Sequence, residues 1–164
     1  DADAVLALMP GDFNVSAGED ASYQYGAITL HKNITIRSAK SRERATIHGR
    51  FVINGGASLD LMQVVVDGTG TSGDQAFNYK ENGNYEKLYV HDCEIAGFVK
   101  GILYINVAAY IKDITFDNCI IHEVCYSGDD GSGNPSTTVL PSVMCSVWTT
   151  LRATSPVSAD RSTL

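Results

Sequence analysis

An all-β solenoid is the fold this sequence predicts, and three observations predict it. The segments Leu59-Asp-Leu-Met-Gln-Val-Val-Val66, Leu88-Tyr-Val-His-Asp-Cys-Glu-Ile95 and Ile114-Thr-Phe-Asp-Asn-Cys-Ile-Ile121 can be laid over one another, at spacings of 29 residues (59 to 88) and 26 residues (88 to 114). Each carries apolar residues at its first, third, sixth and eighth positions. Each also carries an amide or carboxyl side chain (Gln63, Asp92, Asn118) at the fifth, where the alternation changes phase. A repeat of this length made of strands gives one solenoid turn per repeat.

The elements follow in order. Residues 2–9 read as a short amphipathic helix stopped by Pro10-Gly11. A helical cap is expected there, because a solenoid end has unpaired strand edges and an open core. Residues 13–15 lead into a polar loop, and 25–30, 34–37 and 45–48 make a first turn, with the charged insertion Lys40, Arg42, Glu43 and Arg44 between its last two strands. The next turns are cleaner: 51–54, a Gly55-Gly56 corner, 58–62 and 64–67; then 77–80, 88–91 and 93–95; then 103–106, 114–117 and 119–121. Alternation gives each strand one inward and one outward face. The tightest corner falls at Gln63, Asp92 and Asn118. Asn and Asp tolerate the left-handed conformation such a bend needs, and stacking them predicts a hydrogen-bonded ladder.

After Tyr126 the composition shifts to roughly one-third Ser and Thr, with three of the four prolines. The domain organisation is therefore a solenoid over 1–125 with its cap, then a degenerate last turn and a loosely ordered tail over 126–164. In that last turn Leu140, Cys145 and Val147 fall on inward positions, whereas Pro141 and Met144 fit poorly.

The bulk numbers exclude several function classes. The 164-residue chain is one ordinary domain or a piece of a larger protein, and its start at Asp1 reads as a mature or excised domain. A net charge of −7 argues against nucleic acid, which needs clustered Lys and Arg. No run reaches the length of a membrane span. Cys93, Cys119 and Cys145 recur at the 26-residue period. Stacking on adjacent strands, about 4.8 Å apart, would permit a disulfide, while small buried thiols are the simpler reading. No cysteine or Cys/His spacing has the form of a zinc site.

The stacked Leu-x-Val-x-Asp-Cys-x-Ile and Ile-x-Phe-x-Asn-Cys-x-Ile patterns, with Asn33-Ile-Thr-Ile36 and Pro10-Gly-Asp12, resemble the parallel β-helix proteins of the pectate-lyase-like superfamily. The likeness is strongest to the chondroitinase B and alginate lyase branch and its uncharacterised gut-bacterial relatives. It implies a right-handed, single-stranded parallel β-helix of about three to four turns, secreted or on the cell surface. It also implies an acidic, uronic-acid polysaccharide as partner. Lyases of this kind work by β-elimination: a cation neutralises the uronate carboxylate and a Lys, with Arg nearby, handles the protons. No match to the family's paired calcium glutamates or lysine motif is present, so calcium is the one cofactor the resemblance leaves open, and no metal ligand is assigned.

The resemblance points to the first strand of each turn as the binding face. Stacking the repeats turns Phe51, Ile53, Phe77, Tyr79, Leu103 and Ile105 inward. Arg50, Val52, Asn54, Asn78, Lys80, Tyr104 and Asn106 then point outward. Cations suit uronate carboxylates, while amides and a tyrosine suit sugar hydroxyls and ring faces. Arg50, Asn54, Asn78, Tyr104 and Asn106 are the candidate substrate-binding residues. Lys80 is the candidate catalytic base, provided its pKa is lowered. The plain alternative is that these are ordinary solvated side chains.

Other motifs carry less. Gly128-Asp-Asp-Gly131 has the paired carboxylates of a hydrolytic site or a weak calcium loop, but Gly and Ser flanks favour a surface turn. His91 beside Asp92 and His122 beside Glu123 lack a nucleophile at recognisable spacing and read as corner histidines. The expected function is binding, with or without β-elimination, of an acidic polysaccharide. The alternatives are a non-catalytic carbohydrate-binding or adhesin-like module, or a lyase cut off before its catalytic turns. An uncapped solenoid end would also favour self-association.

Overall fold

Strand order is what defines the architecture. In the computed structural model the chain forms β1 (Ala4–Leu8), β2 (Gly11–Asn14), β3 (Ala27–Leu30), β4 (Ile34–Ser38), β5 (Ala45–His48), β6 (Arg50–Ile53), β7 (Leu59–Met62), β8 (Val64–Asp67), β9 (Phe77–Tyr79), β10 (Gly83–His91), β11 (Glu94–Ala96), β12 (Leu103–Ile105), β13 (Ala109–Asp117) and β14 (Ile120–His122). Every third strand pairs in parallel. One sheet runs β1-β4-β7-β10-β13, a second β2-β5-β8-β11-β14 and a third β3-β6-β9-β12. The result is a parallel β-solenoid of about four turns. The structure describes residues 4–18, 22–71, 75–98, 100–105 and 107–124, together with the backbone of three later strands.

The inward rows are those the repeat predicts. Ile36, Leu61 and Val90 share one row, and Ile47, Val66 and Ile95 another, all at 2% exposure or less. Burying each such side chain contributes about 1.5–3 kcal/mol, which is why register is fixed once one face is apolar. Aromatic rings fill the side beneath the third sheet. Phe51 stacks on Phe77 with centroids 5.7 Å apart, and Tyr79 meets Tyr85 edge-on at 4.8 Å.

The tight corners also behave as read. Gln63, Asp92 and Asn118 have φ of 56°, 54° and 49°, and Asn118 Nδ2 donates to Asp92 Oδ1 at 2.5 Å, one step of the expected ladder. Glu123 (φ 54°) is a fourth left-handed non-glycine residue among those described, and one that the sequence did not reveal. In the turn that carries the charged insertion, buried Ser38 does the joining. Its hydroxyl donates to the Gln63 carbonyl at 2.6 Å and accepts from the Ala45 amide at 2.8 Å.

The helical cap is not seen; Ala4–Leu8 is strand β1. The segment has two readings, because Ala4, Leu6 and Leu8 also alternate with Val5 and Ala7. A helix of eight residues is marginal by itself, whereas the open edge of β4 supplies a ready partner in register from Ala4↔Ile34 to Leu8↔Ser38. Cys93 and Cys119 are buried free thiols, directed to backbone carbonyls rather than to each other: Cys93 to His91 at 3.2 Å, Cys119 to Asp117 at 3.3 Å. Beyond the solenoid, β15 (Tyr126–Asp129) pairs antiparallel with β16 (Pro135–Thr138), and β17 (Thr149–Leu151) runs antiparallel along β13. The inward positions expected at Leu140, Cys145 and Val147, and Cys125, lie outside the described residues.

Candidate functional site

The third sheet places the candidate residues on a measurable grid. Its central outward row is Thr29, Val52, Asn78 and Tyr104 on four successive strands, and Arg50 stands opposite Ala27 at the start of β6. One residue past the Ile53↔Tyr79 pair, Asn54 and Lys80 continue the neighbouring outward positions. Asn106 lies outside the described residues. The inward set lies beneath, with Phe51, Ile53 and Phe77 fully buried and Leu103 and Ile105 packed at the margin of the core.

Outward does not mean exposed here. Val52 and Asn78 are only 6% and 4% exposed, while Tyr104 at 41% and Lys80 lie open. Both shielded residues sit mid-row, with neighbouring positions along the strand and on both adjacent rungs. The burial has a chemical consequence. Among the described residues, Oδ1 of Asn78 and Oδ1 of Asn54 meet no hydrogen-bond donor. A buried acceptor without a donor costs about 1–3 kcal/mol and is normally satisfied by a ligand or a water. The two amides are on adjacent rungs, offset diagonally, so their side chains share one patch of the face.

The cations are arranged less compactly. Arg50 is in line with Ala76 on the next rung and Lys80 with Asn54, so the two are four positions apart along the strand direction. At 3.3 Å per residue that is about 13 Å of backbone. The face thus has Arg50 at one end and Lys80 at the other, the Asn78 carbonyl between them and the Asn54 carbonyl level with Lys80, with Tyr104 open on the last rung.

Two further clusters lie on the other faces, and residue-by-residue reading missed both. On the first sheet Asp60 accepts from Lys87 Nζ at 3.1 Å, and its other oxygen is 3.5 Å from His91 Nε2; His91 also has Asp92 at 3.6 Å and the Tyr89 ring at 5.0 Å. On the second sheet His48 lies between Asp67 at 3.0 Å and Asp12 at 3.5 Å and stacks on Tyr25 at 5.1 Å. His122 there sits 2.9 Å from Glu94. The signal that could have found the first is the 29-residue spacing, which sets Asp60 beside Tyr89 and therefore between Lys87 and His91. The Asp60–Lys87 contact is an ion pair, and Asp60 Oδ1, 3.5 Å from His91, is itself buried without a hydrogen-bond partner among the described residues. Among the described residues no group of three or more His, Cys, Asp or Glu could hold a metal ion. The Gly128-Asp-Asp-Gly131 carboxylates fall outside the described side chains. No described helix is long and apolar enough to cross a membrane.

Residues 12–131 match the model of a family described as a domain of unknown function, DUF4957. No curated protein and no solved structure matches the chain.

Proposed function

The chain belongs to the DUF4957 family, and on that premise we propose that it is a carbohydrate-binding β-helix that holds an acidic, uronic-acid polysaccharide along the third sheet. The single observation that carries this reading is the pair of buried, donor-less carbonyls of Asn54 and Asn78 on that face. A sugar hydroxyl donates what each lacks once the amide turns outward to meet it, since both oxygens are shut off from solvent. Arg50 and Lys80, at opposite ends of two adjacent strands, match carboxylates on sugars set apart along the polymer, and the exposed Tyr104 offers a ring for a sugar face. The protein as a whole is acidic, so its attraction for an acidic polymer is local to this stripe and weakens with salt. We read the solenoid as right-handed and pectate-lyase-like, and the protein as secreted or displayed on a cell surface.

Catalysis is the second reading. β-Elimination needs a carboxylate neutraliser and a base around one sugar, with Lys80 as the base taking the proton α to the carboxylate. The separation of about 13 Å between the Arg50 and Lys80 positions favours binding across several sugars over this chemistry. Affinity electrophoresis through gels containing pectate, alginate or chondroitin tests the binding. Retardation by at least one polymer, reduced in Arg50→Ala and Lys80→Ala and lost at high salt, is expected. Unretarded migration through all of them sinks the proposal. Ultraviolet absorbance from unsaturated uronate products, with and without calcium, tests the second reading; a signal abolished by Lys80→Ala would replace binding with cleavage.

A further inference from the structure

Three of the four histidines stand between two carboxylates, one near each ring nitrogen. His48 on β5 has Asp67 of β8 at 3.0 Å from Nδ1 and Asp12 of β2 at 3.5 Å from Nε2. His91 on β10 has Asp60 of β7 at 3.5 Å from Nε2 and Asp92, in the corner that follows, at 3.6 Å from Nδ1. His122 on β14 has Glu94 of β11 at 2.9 Å from Nε2 and Glu123 at 3.9 Å from Nδ1. A neutral imidazole carries one N–H and serves one of its two carboxylates; at the other, lone pair faces lone pair. The imidazolium carries two and serves both. The mismatch is sharpest at Asp60, whose Oδ1 faces His91 Nε2 and is buried with no donor among the described residues.

We propose that these three histidines form a pH-sensitive brace: a second proton on each ring, taken up in mild acid, ties neighbouring rungs of the solenoid together. Their placement covers every step. His48 reaches back to the β2 rung through Asp12 and forward to the β8 rung through Asp67. His91 ties the β10 rung to the β7 rung, and His122 ties the β14 rung to the β11 rung. The Asp12 link is the weakest, because that side chain is 71% exposed and its charge is screened.

The other charges around the rings leave the brace intact. Lys87 and Arg44 oppose a proton at His91 and His122, but each is held by the far oxygen of the shared carboxylate, at Asp60 Oδ2 and Glu94 Oε2. Arg37 stands one rung further off, across Met62 from His91, while β13 sets a third carboxylate, Asp117, level with that ring. Asp67 lies in the row of His122, two rungs back across Ala96. The ring of His48 stacks on Tyr25, and that of His91 lies against Tyr89.

In mild acid the folded chain holds protons on these rings more readily than the unfolded chain does. Lower pH therefore favours folding: the contribution is fully present below the ordinary histidine value, about pH 6.5, and is lost as pH rises above it. Urea unfolding of the whole chain at pH 7 and pH 5.5 tests this, a window that leaves the carboxylates ionised. The midpoint is expected to rise on acidification. Most of that rise should vanish when His48→Gln, His91→Gln and His122→Gln are combined. His31→Gln should leave it in place, since His31 is exposed and forms no ion pair among the described residues. If the triple variant does not fold, the three single variants decide, each being expected to lose part of the rise. A parent midpoint that stays level or falls between pH 7 and pH 5.5 overturns the proposal, as does a rise that survives undiminished in these variants or disappears with His31→Gln.

Discussion

His48 and Asp67, 19 residues apart in the chain, face each other across adjacent rungs with Nδ1 of the imidazole 3.0 Å from Oδ2 of the carboxylate. An ionised carboxylate can only accept, so Nδ1 carries the proton. Asp67 Oδ1 takes the Thr69 amide at 2.8 Å, which fixes the start of the corner that follows β8. His48→Ala and Asp67→Ala are each expected to cost about 1–2 kcal/mol in urea unfolding, with a coupling of about 1 kcal/mol in the double mutant. Asp12, 71% exposed, should cost less than about 0.5 kcal/mol as Ala. Additive losses for His48 and Asp67 would show that the pair is only a neighbourly placement.

Asn78 sets fold against function. Its buried carbonyl has no donor among the described residues, while Val52 occupies the equivalent place one rung earlier. Asn78→Val should therefore stabilise the ligand-free protein by about 1 kcal/mol. The same change should weaken retardation by the acidic polysaccharide. A variant that loses stability and binds as before would remove the main support for the binding face.

Gln63 holds a left-handed conformation, φ 56°, that costs a residue with a Cβ about 1–2 kcal/mol. Gln63→Gly relieves that cost and is expected to raise stability by about 0.5–1 kcal/mol, since glycine loses part of the gain in unfolded-chain entropy. Asp92→Gly relieves the same strain but breaks the bond from Asn118 Nδ2, so its net effect should be near zero or negative. Equal responses in denaturant titrations would mean the corner ladder contributes nothing.

Burial pushes the Cys93 thiol up from 9.0 to about 12, and Cys119 is raised in the same direction, again chiefly by desolvation. Above pH 9 the unfolded thiols give up protons that the folded state keeps. Unfolding then releases protons, so the stability is fully present below pH 9 and is lost as pH rises toward 12. The phenols of Tyr79 and Tyr85, raised mainly by burial, add a loss of the same sign above pH 10. Urea midpoints should hold between pH 7 and 8.5 and fall above about 9. Cys93→Val should flatten the fall without abolishing it; an unchanged slope would clear the thiol of any part in it.

The sequence by itself determined the solenoid, its inward rows and its left-handed corners. Each of these is written in local alternation and in a period that recurs: Leu61 and Val90 had to fall in one row, and Gln63, Asp92 and Asn118 at one bend. Tertiary structure decided the rest. The segment from Ala4 to Leu8 fits two periodicities, and the free edge of β4 made it a strand. Asn78 was legible as outward but not as buried, because burial depends on what stands on the neighbouring rungs. The distance between Arg50 and Lys80, and the meetings of Asp60 with Lys87 and of His48 with Asp67, depend on register between turns of unequal length. The longer corners absorb those differences in length, and their conformation is set by the rungs they join rather than by their own residues.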